Sequence, residues 1–300
     1  MAKQKTVGGT ILKITLGIVV AVVVFVVAFF LIAKYAVGVD IIGAYRGLKK
    51  LGTTVDTQTI ITYPYEKNEA MADSLNSIIE SKTGETGIVT STGGEITIDV
   101  EKFENLLFDS SLELTDKQLA CIINASFDDY VNSVEDDISK NLKDIELSQI
   151  QFSAYQEEGG KFKSVNMNIV IKLPLETIKE YMNGFPLSLL KDMLPNELYI
   201  KTDLKITKDS SSAWKYSITA KNTAFNNLSH EDSNNLIKSV SGILGVPDAD
   251  EMGYSIGEFV INTIIGNSEQ IGFGNGLLQA KDFTFKTVGS QIYYVIEFMD

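Results

Sequence analysis

The feature that most constrains this chain is an apolar run near its N-terminus, from Ile14 to Ala33. Its 20 residues, ITLGIVVAVVVFVVAFFLIA, include no charged side chain. An α-helix rises about 1.5 Å per residue, so the run is long enough to cross a hydrocarbon layer roughly 30 Å thick. It is apolar on every side, which suits lipid better than the surface of a protein core. The sequence therefore predicts a transmembrane helix.

The helix is expected to stay attached as an anchor. A cleaved signal peptide has an apolar run of about 7 to 15 residues followed by a small-x-small site. Here the longer run ends in Ala33-Lys34-Tyr35-Ala36, and no cysteine directly follows it, which excludes lipoprotein processing. The chain is thus predicted to be a single-pass protein of the cell membrane.

The orientation of the anchor follows less directly from its flanking charges. Basic residues lie on both sides of it: Lys3, Lys5 and Lys13 before, and Lys34, Arg46, Lys49 and Lys50 after. The numbers of basic residues on the two sides, which the positive-inside rule compares, are nearly equal. The usual order of basic tail, apolar run and exported body favours a cytoplasmic N-terminus and a large domain outside. A domain in the cytoplasm is the alternative.

Charge and cysteine content restrict the partners. Residues 1–35 contain four lysines and no acid, so the rest of the chain carries 22 basic and 39 acidic residues. Such a surface repels phosphate groups, so no nucleic acid partner is expected, and anionic lipid headgroups are expected to contact only a local basic or apolar patch. The single cysteine, Cys121, excludes an intrachain disulfide and a cysteine-based metal site.

The chain is expected to divide into four parts. These are a short basic tail at 1–13, the anchor at 14–33, a juxtamembrane and linker region with a short helix at 34–94, and an α+β extracytoplasmic domain at 95–300. Within the linker region, Glu66 to Ser81 is expected to be helical and Thr83 to Gly94 to be irregular. The Thr-rich run Thr53 to Thr62 is interpreted as a strand or a stalk.

The apolar pattern of the domain predicts helices and antiparallel strands. Thr115 and Gln118 form a capping box that begins a helix. Alternating apolar residues predict strands at 145–154, 165–173, 198–206, 214–220, 283–288 and 292–298. A phase slip between Leu147 and Ile150 predicts a bulge in the first of these. Further helices are expected at 174–190, 236–244 and 252–264.

Strands with one apolar face, joined in pairs and separated by amphipathic helices, are typical of an antiparallel sheet with helices over one side. The predicted fold class is therefore α+β: an N-terminal transmembrane helix followed by an antiparallel sheet with packed amphipathic helices. About 265 residues follow the anchor, which is enough to bury a sizeable core.

Residues that commonly carry catalysis are sparse. The one histidine, His230, stands beside Glu231 and Asp232 at a helix start and is expected on the solvated surface. Cys121 is interpreted as a half-buried core residue. No catalytic residue, metal ligand or cofactor is therefore predicted, and the chain is interpreted as a protein that is not an enzyme.

Three segments match ligand-binding motifs only in part. Residues 248–253 begin like a calcium loop, but Met252 takes the fifth position and Phe259 the twelfth, where oxygen ligands are needed. The glycines of 272–276 lack the third glycine of the dinucleotide spacing, so a loop is expected there. The acidic residues of 128–137 are interpreted as a solvated helix end.

Two parts of the chain resemble a known family. Residues 114–124, LTDKQLACIIN, follow the anchor, while 172–181, KLPLETIKEY, precede 194–200, LPNELYI, and a strand. These pieces resemble YpmS-type single-pass proteins of Gram-positive bacteria. The resemblance implies a membrane-anchored envelope protein in which a curved antiparallel sheet wraps a helix and an acyl chain lies between them. It assigns no functional residue.

The apolar face of the predicted sheet is the candidate binding site. A concave apolar face accommodates a lipid or another hydrophobic ligand, although the same residues also suit a filled core. The candidate residues are Val165, Met167, Ile169, Ile171, Trp214, Tyr216, Ile218, Phe283 and Phe285. The chain is interpreted as a membrane-anchored extracytoplasmic binding module whose partners are the lipid bilayer and a hydrophobic ligand. The alternative is a cell-envelope scaffold or adaptor that binds other proteins.

Overall fold

The computed structural model describes residues 41–53, 55–99, 102, 103, 106, 111–133, 145–176, 179, 191, 193–209, 215–244, 247–265, 270–273 and 276–298. The predicted tail and anchor, most of the predicted helix at 174–190, and Trp214 lie outside this set. Among the residues that the structure describes, no helix is long and apolar enough to cross a membrane.

The helices and strands follow one another in mixed order, as the sequence predicts. The helices are Ile41–Leu51 (α1), Thr57–Ile60 (α2), Glu69–Thr83 (α3), Asp116–Ser133 (α4), His230–Leu244 (α5) and Ala249–Ile265 (α6). The strands are Val89–Thr92 (β1), Glu95–Ile98 (β2), Ser111–Thr115 (β3), Glu146–Glu158 (β4), Lys161–Pro174 (β5), Glu197–Lys208 (β6), Tyr216–Phe225 (β7), Gln270–Phe273 (β8), Gly276–Val288 (β9) and Gln291–Phe298 (β10).

Two four-stranded antiparallel sheets form the framework. Sheet I has the strand order β3-β10-β9-β8, sheet II has the order β4-β5-β6-β7, and β1 and β2 form a separate hairpin. The α+β class with antiparallel pairing is thus confirmed. The prediction had a single sheet, whereas the structure has two. In sheet I, β3 pairs with β10 from the far end of the chain. Aromatic side chains join the two sheets: the rings of Phe152 on β4 and Phe285 on β9 are 5.2 Å apart.

Helix α6 packs closely on sheet II through glycine. A Cβ atom at Gly253 would fall 2.1 Å from Thr223 Oγ1 and 2.6 Å from Thr202 Oγ1. A Cβ atom at Gly257 would fall 2.5 Å from Leu204 Cδ2. The two threonine hydroxyls share a buried hydrogen bond of 2.8 Å beneath the helix. The helix therefore approaches the strands more closely than any side chain would allow.

Two side chains of α4 form hydrogen bonds with backbone groups along the free edge of β4. Asn124 Oδ1 accepts a hydrogen bond from Leu147 N (2.8 Å), and its Nδ2 donates to Leu147 O (2.9 Å). Asp116 Oδ2 accepts from Phe152 N (3.2 Å), while its Oδ1 accepts from Lys117 N (2.9 Å). An exposed strand edge invites pairing with other chains. Here the helix occupies that edge.

Asp116 also follows β3 directly, so it links the edges of the two sheets. The Tyr63 hydroxyl donates to Asp116 Oδ1 at 3.3 Å. Burial raises the pKa of the Asp116 carboxyl above its usual value despite these three hydrogen bonds. A buried carboxylate is disfavoured because it loses water, and the donors only partly replace that water.

Two local predictions are confirmed. Gln118 Oε1 accepts from Thr115 N (2.9 Å) and Gln118 N donates to Thr115 Oγ1 (3.3 Å), which is the predicted capping box. The pairing of β4 with β5 shifts register between Leu147 and Gln149, where a bulge was expected. A second irregularity lies between Ser153 and Gln156 on the same strand.

The structure differs from the prediction before residue 95. The run from Thr53 to Thr62 contains the short helix α2 instead of a strand, because Asp56 caps it. The region expected to be irregular contains β1, which pairs with β2. Farther along the chain, Gly272 and Phe273, which were expected in a loop, belong to β8, and Gly276 begins β9 and pairs with Phe273. Leu48 and Leu75 belong to the same core cluster as the strands, so residues on both sides of position 94 share one core.

Candidate ligand-binding cleft between the two sheets

The structure places most of the predicted binding residues in the filled core. Seven of them are at most 9% exposed and belong to one core cluster: Val165, Met167, Ile169, Ile171, Ile218, Phe283 and Phe285. Tyr216 is half-buried and packs against the same cluster. Tyr216, Phe283 and Phe285 lie where the two sheets meet, and the rings of Tyr216 and Phe283 are 6.0 Å apart. Phe285 also lines a cleft that opens to solvent.

This cleft has a volume of about 950 Å³ and lies at one end of the two sheets. It is bounded by the hairpin between β4 and β5, by the end of β6, and by β9 and β10. Its lining residues are Tyr155, Glu157, Glu158, Gly160, Lys161, Phe162, Lys163, Thr207, Lys208, Asp209, Asp282, Thr284, Phe285, Lys286 and Glu297. This volume falls in the range of roughly 300 to 1,000 Å³ that is common for ligand sites.

One side of the cleft is an aromatic wall formed by Tyr155, Phe162 and Phe285. The rings of Tyr155 and Phe162 are stacked with centroids 6.1 Å apart, and those of Phe162 and Phe285 are 5.0 Å apart. Tyr155 and Phe162 are half-buried, whereas Phe285 is 1% exposed and continues to Tyr294 in the core at 5.4 Å. The wall therefore leads from solvent into the core without a polar interruption.

A bulge on β4 creates this wall. Side chains of a regular strand alternate between faces, so Phe152 and Tyr155, three residues apart, would point to opposite sides. The irregularity between Ser153 and Gln156 contains Ala154 with φ of 50° and restores both rings to the inner side. Sequence reasoning missed Tyr155 and Phe162 because it relied on alternation. The sequence did contain a signal for these two residues: both are aromatic, and they flank the turn at Gly159 and Gly160.

The rim of the cleft carries charges of both signs. Four lysines and five acids lie there: Lys161, Lys163, Lys208, Lys286, Glu157, Glu158, Asp209, Asp282 and Glu297. Lys163 pairs with Glu158 at 2.9 Å, and Lys286 pairs with Glu113 at 2.6 Å. Exposed pairs of this kind contribute only about 0 to 1 kcal/mol, so a ligand can rearrange them at little cost.

Lys208 is the most enclosed charge on the rim. Its side chain is 13% exposed, compared with 49% for Lys163 and 39% for Lys286. Its ammonium donates to Asp282 Oδ1 (2.6 Å) and to Phe283 O (2.5 Å), and it lies 4.7 Å from the centre of the Phe283 ring. Because Lys208 ends β6 and Asp282 belongs to β9, this ion pair joins sheet II to sheet I at the cleft.

The phenol groups near the cleft are neutral at physiological pH. Burial raises the pKa of Tyr155, and the nearby negative charge of Glu157 raises it further. Burial, Glu258 and Tyr254 raise the pKa of Tyr216 to about 12. The wall therefore offers uncharged aromatic surface, and no phenolate nucleophile is present at neutral pH.

Cys121 and His230 both lie away from the cleft. Cys121 is 2% exposed, so it is fully buried instead of half-buried, and burial raises the pKa of its thiol to about 12. His230 is only partly solvated, because its Nδ1 lies 3.0 Å from Thr223 O and its Nε2 lies 2.9 Å from Asn234 Nδ2. The Thr223 carbonyl only accepts, so the hydrogen bond to it needs a proton on Nδ1. Nε2 also lies 3.5 Å from Asp250 Oδ2.

In the described part of the chain, no group of three or more His, Cys, Asp or Glu side chains is arranged to hold an ion. The segment at 248–253, which begins like a calcium loop, instead caps α6: Glu251 N donates to Asp248 Oδ1 at 3.0 Å, and Thr223 N donates to Asp250 Oδ1 at 3.0 Å. One oxygen of each of these two carboxylates thus accepts from a backbone N–H group.

Comparison of the chain with models of protein families, with curated proteins and with solved structures finds no match. The resemblance of residues 114–124, 172–181 and 194–200 to YpmS-type proteins therefore stays a prediction.

Proposed function

We propose that this protein is a membrane-anchored binding module that holds an amphipathic ligand in the cleft between its two sheets. The observation that carries the proposal is the aromatic wall. Tyr155 and Phe162 leave part of their ring surface open to solvent in a cleft, and Phe285 continues that surface into the core. Apolar surface gains about 25 cal/mol for each Å² removed from water, so an apolar chain lying on the wall stabilises the complex.

The mixed rim suits the polar end of the same ligand. An apolar tail covers the wall, while the headgroup remains among the charged and hydroxyl groups at the mouth, as is common in ligand sites with few polar groups. A purely apolar ligand would leave the rim unused and its own outer end exposed. The proposed ligand is therefore an amphiphile with one tail and a polar head, not a hydrocarbon.

A role in binding, not in catalysis, fits the groups available. The Cys121 thiol is buried with a pKa of about 12, and the two ring nitrogens of His230 are engaged by Thr223 and Asn234. Neither side chain lines the cleft. The proposal therefore assigns the cleft no reaction and no cofactor.

The membrane setting of the proposal rests on the sequence. The uncharged run Ile14 to Ala33 supplies the anchor, and the domain is placed outside the cell with the N-terminus in the cytoplasm. A tethered cleft would exchange its ligand with the adjacent bilayer. Protease treatment of intact cells checks this placement: the domain is expected to be degraded, and full protection would put it in the cytoplasm.

The binding proposal is tested with the full-length chain in amphipol and the uncharged fluorophore N-phenyl-1-naphthylamine. Binding of the probe is expected to increase its fluorescence. The affinity of Phe162→Ala for the probe is expected to be at least tenfold weaker than that of the wild type, since about 2 kcal/mol of aromatic contact is removed. Tyr45→Ala is the matched control, because Tyr45 is 51% exposed on α1 and does not line the cleft. Equal binding by wild type and Phe162→Ala would refute the proposal.

A second candidate function, a scaffold that binds other proteins, is favoured by the outer face of sheet II. Lys201 and Lys205 of β6 and Lys221 of β7 point away from the core, and none lies within ion-pair distance of a carboxylate among the described residues. Asp203 lies between them but accepts hydrogen bonds from Asn168 (2.5 Å) and Asn222 (2.9 Å) instead.

This basic face stands out in a chain with a formal net charge of −13, and charge complementarity suits it to an acidic protein surface. Crosslinking in cells tests the scaffold function. Partner proteins captured by the wild type are expected to be lost when Lys201, Lys205 and Lys221 are all changed to glutamate. An unchanged set of crosslinked partners would refute it.

A further inference from the structure

We propose that the cleft selects amphiphiles with an anionic headgroup, and that Lys208 is the residue that sets this preference. The inference rests on the proposed function, since it concerns the headgroup of the ligand whose tail lies on the aromatic wall. It names the ligand class as single-chain carboxylates and phosphates.

The position follows from strand pairing. Ser164 of β5 is opposite Thr207 of β6, so the end of β5 that carries Phe162 lies beside the end of β6 that carries Lys208. The ammonium is also 4.7 Å from the Phe283 ring, next to Phe285 along β9. The acids Glu157, Glu158 and Glu297 are exposed to solvent, whereas the Lys208 side chain is only 13% exposed. A headgroup attached to a tail on the wall therefore meets Lys208 before it meets the exposed acids.

The Lys208 ammonium has one N–H left for a ligand. An ammonium has three donors. Among the described residues, Asp282 Oδ1 and Phe283 O take two of them, and the ammonium lies 4.7 Å from the Phe283 ring at the lining of the cleft. A carboxylate or phosphate oxygen in the cleft would accept this donor in a charge-assisted hydrogen bond, which is stronger than a bond to a neutral group. An alcohol would gain less, and an ammonium headgroup would be repelled.

Asp282 does not have to lose all its partners when a ligand binds. Its Oδ1 also accepts from Phe283 N at 2.7 Å, and its side chain is 30% exposed. If Lys208 turns toward an anionic headgroup, the carboxylate keeps the backbone donor and gains water. The Lys208 ammonium likewise keeps Phe283 O. Lys208 would thus exchange its ion pair with Asp282 for an ion pair with the headgroup, and no buried charge would be left without a partner.

Competition against N-phenyl-1-naphthylamine tests the inference with four ligands of equal chain length: dodecanoate, dodecyl phosphate, dodecanol and dodecylamine. All are used below their micelle-forming concentrations with the full-length chain in amphipol. We expect both anions to compete about tenfold better than dodecanol, the effect of one stronger hydrogen bond, and dodecylamine to compete worst. The signal of the Tyr155→Ala/Phe162→Ala double variant is subtracted as background.

Two variants connect the preference to Lys208. Lys208→Gln is expected to bring dodecanoate and dodecanol within twofold of each other while dodecanol binds as before. Asp282→Asn is expected to strengthen anion binding, because it removes the competing carboxylate. Lys102→Gln is the matched control, since Lys102 forms an exposed ion pair with Asp99 at 3.0 Å away from the cleft. Thermal unfolding of each variant identifies any that has lost the fold, and Asp282→Asn then carries the test if Lys208→Gln unfolds.

The outcomes separate the two proposals. If the four ligands compete equally, or if Lys208→Gln leaves the anion preference intact, the headgroup inference is overturned while tail binding on the wall stands. If none of the four competes and the fluorophore does not bind, the proposed function fails, and the inference fails with it. A preference for phosphate over carboxylate, or the reverse, decides between the two anion classes and supports the role of Lys208.

Discussion

Replacement of Gly253 by alanine is expected to destabilise the domain, although alanine is the better helix former. In an exposed helix interior the change gains roughly 0.5 to 1 kcal/mol. At position 253 the new Cβ falls 2.1 Å from Thr223 Oγ1 and 2.6 Å from Thr202 Oγ1. The new Cβ therefore pushes α6 away from sheet II and also breaks the buried hydrogen bond between the two threonines.

The magnitude follows from these two effects. Overpacking of a filled site costs about 1 to 3 kcal/mol. A buried hydroxyl left without a partner costs about another 1 to 3 kcal/mol. After the gain in helix propensity is subtracted, the net loss is about 1 to 5 kcal/mol in the free energy of unfolding. The sign is therefore opposite to that expected for an exposed helical glycine.

Urea unfolding of the full-length chain in detergent, followed by near-ultraviolet circular dichroism, measures this change. Ser255→Ala is the control, because Ser255 is exposed on the same helix and its replacement is expected to stay within about 0.5 kcal/mol. In a chain that already carries Thr202→Ala and Thr223→Ala, the cost of Gly253→Ala is expected to fall, since the clashing oxygens are gone. A Gly253→Ala variant as stable as the wild type would refute the described packing of α6 on sheet II.

Three further predictions concern titratable groups. Burial raises the pKa of Asp116, so this carboxyl binds a proton more readily in the folded chain than in the unfolded chain. In urea titrations, the stability of the wild type relative to Asp116→Asn is therefore expected to increase as the pH falls from about 7 to about 4. A difference that stays constant with pH would contradict this. ¹⁵N NMR is expected to show a proton on Nδ1 of His230, because Nδ1 lies 3.0 Å from Thr223 O, which only accepts; a ring without a proton on Nδ1 would contradict the contact. The Cys121 thiol is expected to react with Ellman's reagent only on unfolding, and fast labelling of the folded chain would contradict its burial.

Local signals predicted much of the fold. The capping box of Thr115 and Gln118 placed the start of α4, and the phase slip after Leu147 placed a bulge on β4. The alternation of Leu198, Ile200, Leu204 and Ile206 marked the inner face of β6, and all four are buried. Each of these signals depends on residues within a few positions of one another, which is why sequence alone reveals them.

The arrangement of two sheets had no such signal. Strand β3 has five residues, and its partner β10 lies more than 170 positions later, with Leu112 opposite Ile296. Pairing between distant segments depends on the packing of the whole chain. The prediction of one sheet with helices on one side therefore missed the contact between the inner faces of two sheets.

The candidate site was predicted only in part for a related reason. Alternating apolar residues such as Val165 and Ile169 mark burial, and both are fully buried, but the pattern does not distinguish a filled core from an open face. The open surface is formed by Tyr155 and Phe162, which depend on the backbone bulge at Ala154. A bulge changes which face a side chain occupies, and the sequence pattern does not reveal the change.

Photolabelling tests most directly whether the cleft holds the tail of an amphiphile. Full-length protein in amphipol is incubated with dodecanoic acid that carries a diazirine at the end of its chain, irradiated, digested and examined by mass spectrometry. The label is expected in the peptides that contain Tyr155, Phe162 and Phe285, and unlabelled dodecanoate is expected to suppress it. Label spread evenly over the surface, or concentrated on α1, would contradict a binding site between the two sheets.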